Sequence, residues 1–340
     1  MISSIRVLIV GSTAHWCIES LYRRAFEAIG CRDVAAFDTA QFVPAAHHRS
    51  IAWKVWRRYR AISAPARLGR ALEATVRETR FDLIVVFKGL YITAQALEKC
   101  RDAAGGAIWV NINPDDPLSI NASSSNANIR DTLPLYDCYY IWSRRLVPRL
   151  VEAGCRRVEY LPFGYDPLLH NPSADAPQPG LISFIGSWDS EREHILTALA
   201  EMPLRIYGNG WEKVARSSPL ARCIVRKPVF GAEASRITST SLVAINLLRP
   251  QNIDAHNMRT FEIPAMRGCM VTTATQEQTD FFPFGKASLG FARSDELVGI
   301  VDDLLSHPAR SVELREAAYE LSRPHAYASR ARAVIESLDL

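Results

Sequence analysis

Leu242-Val-Ala-Ile-Asn-Leu-Leu248 and, after it, Asp254-Ala-His-Asn-Met-Arg-Thr-Phe-Glu262-Ile-Pro-Ala-Met-Arg-Gly268-Cys-Met-Val-Thr-Thr273 decide how this chain folds. The first run is apolar throughout except Asn246 and reads as a buried strand. The second opens on an acid and a His/Asn pair, carries another acid eight positions on, and ends at a glycine before a short apolar run. Together they predict a strand–loop–helix–strand unit. An acid and a His/Asn pair at the mouth of a helix, with a second acid along it, suit a polar, anionic ligand. An ordinary unit with solvated charges fits the same residues, and local sequence leaves both readings open.

Outward from this unit the pattern repeats. Leu181–Ile185 predicts a strand, Gly186-Ser-Trp-Asp-Ser190 a loop, and Glu191–Ala200 a helix; Leu204–Tyr207 is a strand closing on Gly208-Asn-Gly210-Trp211. Ser294 reads as the N-cap of a later helix with Asp295 and Glu296 in its first turn. The C-terminal region is helical, with a break at Pro324. In the first half, Arg6–Gly11, a helical face of Trp16, Leu21, Tyr22, Ala25, Phe26 and Ile29, and Val34–Asp38 make the opening β-α-β of a doubly wound sheet. Gly11 stands alone where a dinucleotide fingerprint needs three glycines, which argues against a dehydrogenase. Strands at Phe81–Phe87, Ala107–Asn113 and Asp137–Trp142 follow. Asp115 and Asp116 lie just past the second of these, at the strand end that faces the ligand crevice in such sheets. They suit sugar hydroxyls, base chemistry or a turn cap. His15, after Gly11, is a candidate acceptor contact or simply a residue at a helix start.

The proline-rich, aperiodic stretch after Pro162 predicts a boundary: a first domain at 1–165, a linker at 166–180, a second domain at 181–322, and a helical segment at 323–340 that packs back on the first domain. Two α/β halves in succession predict a ligand cleft between them. The 340 residues are 48% hydrophobic and 22% charged, ordinary for two globular domains, and a net charge of +4 is too mild to imply nucleic acid. Seven scattered cysteines without a C-x-x-C fit free thiols in a reducing compartment. No apolar run approaches the roughly 18 residues of a spanning helix, and the first residues show no signal-peptide core. The expectation is a cytoplasmic protein. His47–Arg70 interleaves Arg49, Lys54, Arg57, Arg58, Arg60, Arg67 and Arg70 with Trp53, Trp56 and Tyr59, and contains no acid. It reads either as a helix with a solvated basic face or as peripheral contact with an anionic membrane at its inner face, or with a polyanionic glycan, through residues 49–70.

Phe184-Ile-Gly-Ser with Glu191-Arg192, Tyr207-Gly-Asn-Gly-Trp211, Ile245-Asn-Leu-Leu-Arg249, Arg259–Gly268 and His325-x-Tyr-x-x-Arg330 are similar in order and spacing to the spore-maturation-protein (CgeB-like) branch of glycosyltransferases, akin to glycosyltransferase family 4. Asn113-Pro-Asp-Asp-Pro117 and Pro162-Phe-Gly-Tyr-Asp-Pro167 resemble it too. The resemblance implies an α/β GT-B fold: two Rossmann-like doubly wound parallel-sheet domains facing across a cleft. It implies a metal-independent, hexosyltransferase-like enzyme that transfers sugar with retention from a nucleotide-diphosphate sugar, a co-substrate rather than a cofactor, to a glycan, lipid-linked or protein acceptor. On it, Glu262 contacts the donor ribose, Asp254 lies by the transferring sugar, and His256 sits in the same motif. Arg192, six positions after Gly186, matches a phosphate-binding lysine, and the companion arginine falls at Ser187, where its charge is missing. Gly186, backbone N–H groups near Asn257 and Met258, and either Arg259 or Lys227 in place of the missing arginine complete the diphosphate end. Lys227, Val229, Phe230, Tyr207 and Gly208 look like the segment that meets the base. The family's Gly-Phe-Gly after the first acid is replaced here by Ala255-His256-Asn257. A nucleotide-sugar epimerase of the same fold and a non-catalytic glycan- or surface-binding protein are the alternatives.

Overall fold

The structure is a computed structural model that describes residues 2–42, 51–121, 124–175, 178–249, 252 and 254–340, with side chains left out of the description for 51–62. The chain divides into two compact units, one made of residues 1–162 with 327–340 and the other of residues 163–326. Residues 166–175 and 178–180 thus group with the second unit.

The first unit carries β1 (Arg6–Gly11), α1 (Ile18–Ala28), β2 (Asp33–Asp38), α2 (Ile51–Glu78), β3 (Leu83–Phe87), α3 (Ala94–Ala103), β4 (Ile108–Asn113), α4 (Ala127–Thr132), β5 (Cys138–Ile141), α5 (Leu146–Glu152) and β6 (Val158–Tyr160). All strand pairs are parallel, in the order β2-β1-β3-β4-β5-β6. Every residue of β3 is buried, as expected of a central strand covered on both faces. Along α1, Leu21, Tyr22, Ala25 and Phe26 form the buried stripe. In α2, Ala64, Leu68, Leu72 and Val76 recur every four residues on the buried face. Residues 43–50 and the side chains of 51–62 lie outside the described residues, and most of the expected basic, tryptophan-bearing surface lies there. Arg67 donates 2.9 Å to the Phe42 carbonyl and Arg70 is exposed.

The second unit carries β7 (Ile182–Ile185), α6 (Ser190–Thr197), β8 (Leu204–Tyr207), α7 (Gly231–Thr240), β9 (Val243–Asn246), α8 (Arg259–Ala265), β10 (Met270–Thr273), α9 (Gln276–Phe281), β11 (Leu289–Phe291), α10 (Ser294–Ser306) and α11 (Pro308–Ser322). Its sheet is again parallel, in the order β11-β10-β9-β7-β8. A core of Phe184, Leu196, Leu204, Ile206, Trp211, Ile245 and Val271 packs it, each such side chain stabilising by roughly 1.5–3 kcal/mol through burial. α10 begins at Ser294, one residue earlier than the expected cap allows; Arg293 is the cap residue, and Glu296 accepts from the Ala292 N–H at 2.8 Å. α12 (Tyr327–Ser337) returns to the first unit, where Tyr327 packs on Tyr22 at 5.0 Å and Ser337 meets the Tyr140 hydroxyl at 2.6 Å. Among the described residues no helix is long and apolar enough to cross a membrane.

Candidate functional site

Each sheet reverses its strand order once, and ligands of open α/β sheets sit at that reversal, outside the carboxyl ends of the strands. In the second unit the reversal lies between β7 and β9, so the loops Gly186–Asp189 and Leu247–Arg249 flank it. Arg192, in the first turn of α6 and only 9% exposed, ties the two loops together. Its NH1 donates 3.0 Å to the Ser187 carbonyl and its NH2 donates 2.8 Å to the Leu247 carbonyl. Its Nε approaches Asp189 Oδ2 at 3.3 Å, while Asp189 Oδ1 caps the helix by accepting the Arg192 N–H at 2.9 Å. The guanidinium also lies over the Phe184 ring. Burial, and after it the charge of Arg249, push the Arg192 guanidinium down to about 10, with Arg259 adding to the effect. Arg249 shares Asp189 with Arg192, and Arg259 is near enough for its charge to act on Arg192. Two of Arg192's donors serve backbone carbonyls, so Arg192, expected at the phosphate, ties the two loops together in this structure.

Sequence reasoning assigns no role to Arg249, although it closes the Ile245–Arg249 motif. The structure puts it three residues past the end of β9, 45% exposed, with Nε 3.8 Å from Asp189 Oδ2. The signal was its register: it is the first charged residue after a buried strand that borders the reversal. Ser187 supplies no charge, and Arg249 brings one to the same loop pair.

Tight turns close the neighbouring loop. Gly186 N–H donates 2.9 Å to the Tyr207 carbonyl, and Trp211 Nε1 donates 2.8 Å to the Gly186 carbonyl. Gly208, at φ 141°, donates 3.2 Å to the Lys227 carbonyl, and a Cβ there would sit 2.1 Å from the Gly186 oxygen. Only glycine lets these loops touch. Lys227 pairs with Glu233 at 3.0 Å, Val229 is buried against Tyr207, and Phe230 is exposed at the start of α7.

The loop before α8 is held by a buried polar network. Asn257 accepts from the Thr260 N–H at 3.1 Å, acting as the side-chain cap, and its amide donates 2.8 Å to Asn246 on β9. Its own backbone N–H, one of those expected near the diphosphate, donates to Thr260 Oγ1 at 3.2 Å. Thr260 Oγ1 in turn donates 2.8 Å to Gln278 of α9. Met258 precedes the helix, and its carbonyl accepts from Phe261 and Glu262. Glu262 is 5% exposed. Its Oε2 accepts from Arg259 NH1 at 2.6 Å, and its Oε1 lies 3.5 Å from His170 Nε2. Asp254 is exposed in the turn ahead of this network.

His256 differs from its expected role. It is 0% exposed, and both ring nitrogens are engaged. The Phe163 N–H donates to Nε2 at 3.1 Å, which leaves the proton on Nδ1, 2.6 Å from Glu277 Oε2. Phe163, Phe261 and Phe281 enclose the ring edge-on. This is a clamp inside the fold, and no catalytic proton transfer starts from it in this arrangement.

In the first unit the reversal lies between β1 and β3. Glu19, in the first turn of α1, accepts from the Ser12 N–H at 3.2 Å. A cavity of about 170 Å³ lies there, lined by Gly11, Ser12, Glu19, Lys88, Gly89 and Tyr91 among others. Lys88 pairs with Asp115, and Asp116 Oδ1 accepts from the Leu118 N–H at 2.8 Å as a turn cap. His15 is exposed, edge-on to Trp16 at 4.6 Å. Among the described residues no group of three or more His, Cys, Asp or Glu is placed to hold a metal ion.

Residues 192–336 match the model of the family described as Glycosyl transferase-like. No curated protein matches the chain in sequence. Among solved structures, sucrose-phosphate synthase from Thermosynechococcus elongatus is similar with a TM-score of 0.68 at 14% identity, covering 98% of this chain and 99% of that one. Anabaena HepE in complex with UDP and glucose is similar with a TM-score of 0.67 at 13% identity and the same two coverages. The pneumococcal O-GlcNAc transferase GtfA, in complex with UDP and GlcNAc, gives a TM-score of 0.57 at 13% identity over 80% of this chain and 59% of that one. With two parallel α/β sheets built as described, the chain has the GT-B fold of these glycosyltransferases.

Proposed function

We propose that this protein is a glycosyltransferase that takes a sugar from a nucleotide-diphosphate sugar bound by the second unit. One observation carries the reading: Arg192, Arg249 and Arg259 converge where the β7–β9 reversal would seat an anion, beside the buried Glu262 carboxylate. The match of residues 192–336 to a glycosyl transferase-like family, and solved structures of this fold that hold UDP or UDP-glucose, support it.

In the reaction the bond between the anomeric carbon and the diphosphate oxygen breaks, and its electron pair leaves with the nucleoside diphosphate. The acceptor hydroxyl oxygen bonds to the anomeric carbon, and its proton passes to a phosphate oxygen of the leaving group. Negative charge therefore grows on the diphosphate as positive charge grows on the sugar, and preorganised cations at the diphosphate lower the barrier. Arg249 is the exposed guanidinium suited to that task. Arg192 fixes the two loops, and Arg259 orients Glu262 toward the ribose hydroxyls. Asp254 is assigned to the sugar end. The resemblance of Asp254 and Glu262 to an acid-x7-acid pair supports retention and a hexosyl donor, and no residue of this assignment requires a metal. The acceptor is a hydroxyl-bearing glycan, lipid or protein met by the first unit, where Asp115 and His15 are its assigned contacts.

The test is turnover of UDP-, GDP-, ADP- and dTDP-sugars in the presence of acceptor libraries. Release of one nucleoside diphosphate, lost in Glu262→Ala, is the expected result. Neither turnover nor binding of any donor would overturn the reading. Inversion of C2 without transfer would point to an epimerase.

A further inference from the structure

We propose that His170 is a positioning residue for Glu262, holding its carboxylate for the donor ribose; the inference rests on the donor reading above. His170 comes from the proline-rich stretch expected to be a mere linker. It is buried, and Nε2 lies 3.5 Å from Glu262 Oε1 while Arg259 takes Oε2 at 2.6 Å. One side chain thus stands at each oxygen of the carboxylate.

The protonation of the imidazole follows from its other side. The Asp166 N–H donates to His170 Nδ1 at 3.1 Å. A nitrogen that accepts a hydrogen bond carries no proton, so the neutral ring bears its N–H on Nε2, the nitrogen 3.5 Å from Glu262 Oε1. The ring is fixed in place by its own turn. The His170 and Leu169 N–H groups donate to the Asp166 carbonyl at 2.8 and 3.0 Å, and Asp166 Oδ1 accepts from the Leu168 N–H at 2.9 Å. Ser235 Oγ, on α7, donates 2.9 Å to the Leu169 carbonyl and anchors that turn to the donor unit. The same segment is gripped at Phe163 by His256. Two imidazoles, each accepting from a backbone N–H, therefore fasten residues 163–170 to the unit that holds Glu262. A carboxylate held at both oxygens keeps its remaining lone pairs in one orientation, which a pair of vicinal hydroxyls can meet without reorganisation.

The experiment titrates UDP, GDP and ADP into the full-length chain, then compares the nucleotide that binds with its 2′,3′-dideoxy counterpart. His170→Phe fills the ring's space without an N–H. It is expected to weaken the ribonucleotide by about 5- to 10-fold, the order of one ordinary polar contact's net contribution, and to leave the dideoxy affinity unchanged. His170→Gln, which returns an N–H near the Nε2 position, restores most of the loss. His170→Ala repeats the comparison if the Phe variant does not fold. Equal weakening of both nucleotides, or of neither, overturns the inference while the donor reading stands. Failure of the wild type to bind any of the three overturns both.

Discussion

At the reversal of the first sheet, the Glu19 carboxylate accepts the Ser12 N–H, and the cation nearby, Lys88, is already paired with Asp115. At the reversal of the second, a buried arginine holds the carbonyls of both flanking loops and two more arginines stand beside it. Both sheets run in the order second, first, third, fourth, fifth, so topology offers the same crevice twice. The loops set the charge. An incoming phosphate meets an acid in one unit and guanidinium groups in the other. The first crevice suits neutral hydroxyls and the second suits an anion.

The comparison breaks most severely where the second crevice depends on its support. His256→Ala removes the partner of Glu277 and the acceptor of the Phe163 N–H at a fully buried site. The expected cost is about 3 kcal/mol of stability, seen as a large drop in Tm, with nucleotide affinity kept by the fraction that remains folded. Loss of turnover with Tm unchanged would restore the catalytic role first assigned to it.

Arg192→Ala is next. It leaves the Ser187 and Leu247 carbonyls without their buried donor, at a cost of about 2 kcal/mol, and nucleotide binding falls with it. Lysine does not rescue, because a single ammonium cannot span both carbonyls as the planar fork does. Full rescue by lysine, measured by calorimetric titration and thermal melting, would show that charge alone matters here.

Arg249→Ala separates charge from scaffold. The residue is half-exposed, so Tm changes little, while nucleoside diphosphate affinity falls about tenfold, or about 1.4 kcal/mol. The loss shrinks in high salt, as expected of an exposed charge. An unchanged affinity would remove Arg249 from the diphosphate site.

The smallest effect lies in the first unit. Burial raises the Glu19 carboxyl above its ordinary value of 4.5. The native state then binds that proton more tightly than the unfolded chain, so stability falls as pH rises through the native pKa. Glu19→Gln removes this loss: Tm at neutral pH rises, and the gain fades as pH drops toward 4.5. Nucleotide affinity is unaffected. A drop in affinity would move the anion site into the first unit.

Much of this was legible in the chain itself. Continuous apolar runs such as Leu83–Phe87 and Val243–Asn246 announce strands buried on both faces, because only a covered parallel sheet removes both sides of a strand from water. The alternation of such runs with helical faces sets the doubly wound class, and the position of Glu262 inside α8 follows from local pattern and resemblance. What remained open depended on partners far away in sequence. His256 sits inside the Asp254–Gly268 stretch, yet its Nε2 is taken by Phe163, more than ninety positions upstream, so its place in the chain suggested chemistry and its place in the fold makes it a clamp. Arg249 and His170 carry no local signature; one gains meaning from the strand order and the other from a turn pinned to α7. Periodicity reports which face of an element is buried, and so sequence alone determined the layers. Which side chains share a hydrogen bond is settled by long-range packing, and that is why the tertiary structure alone decided the wiring of the site.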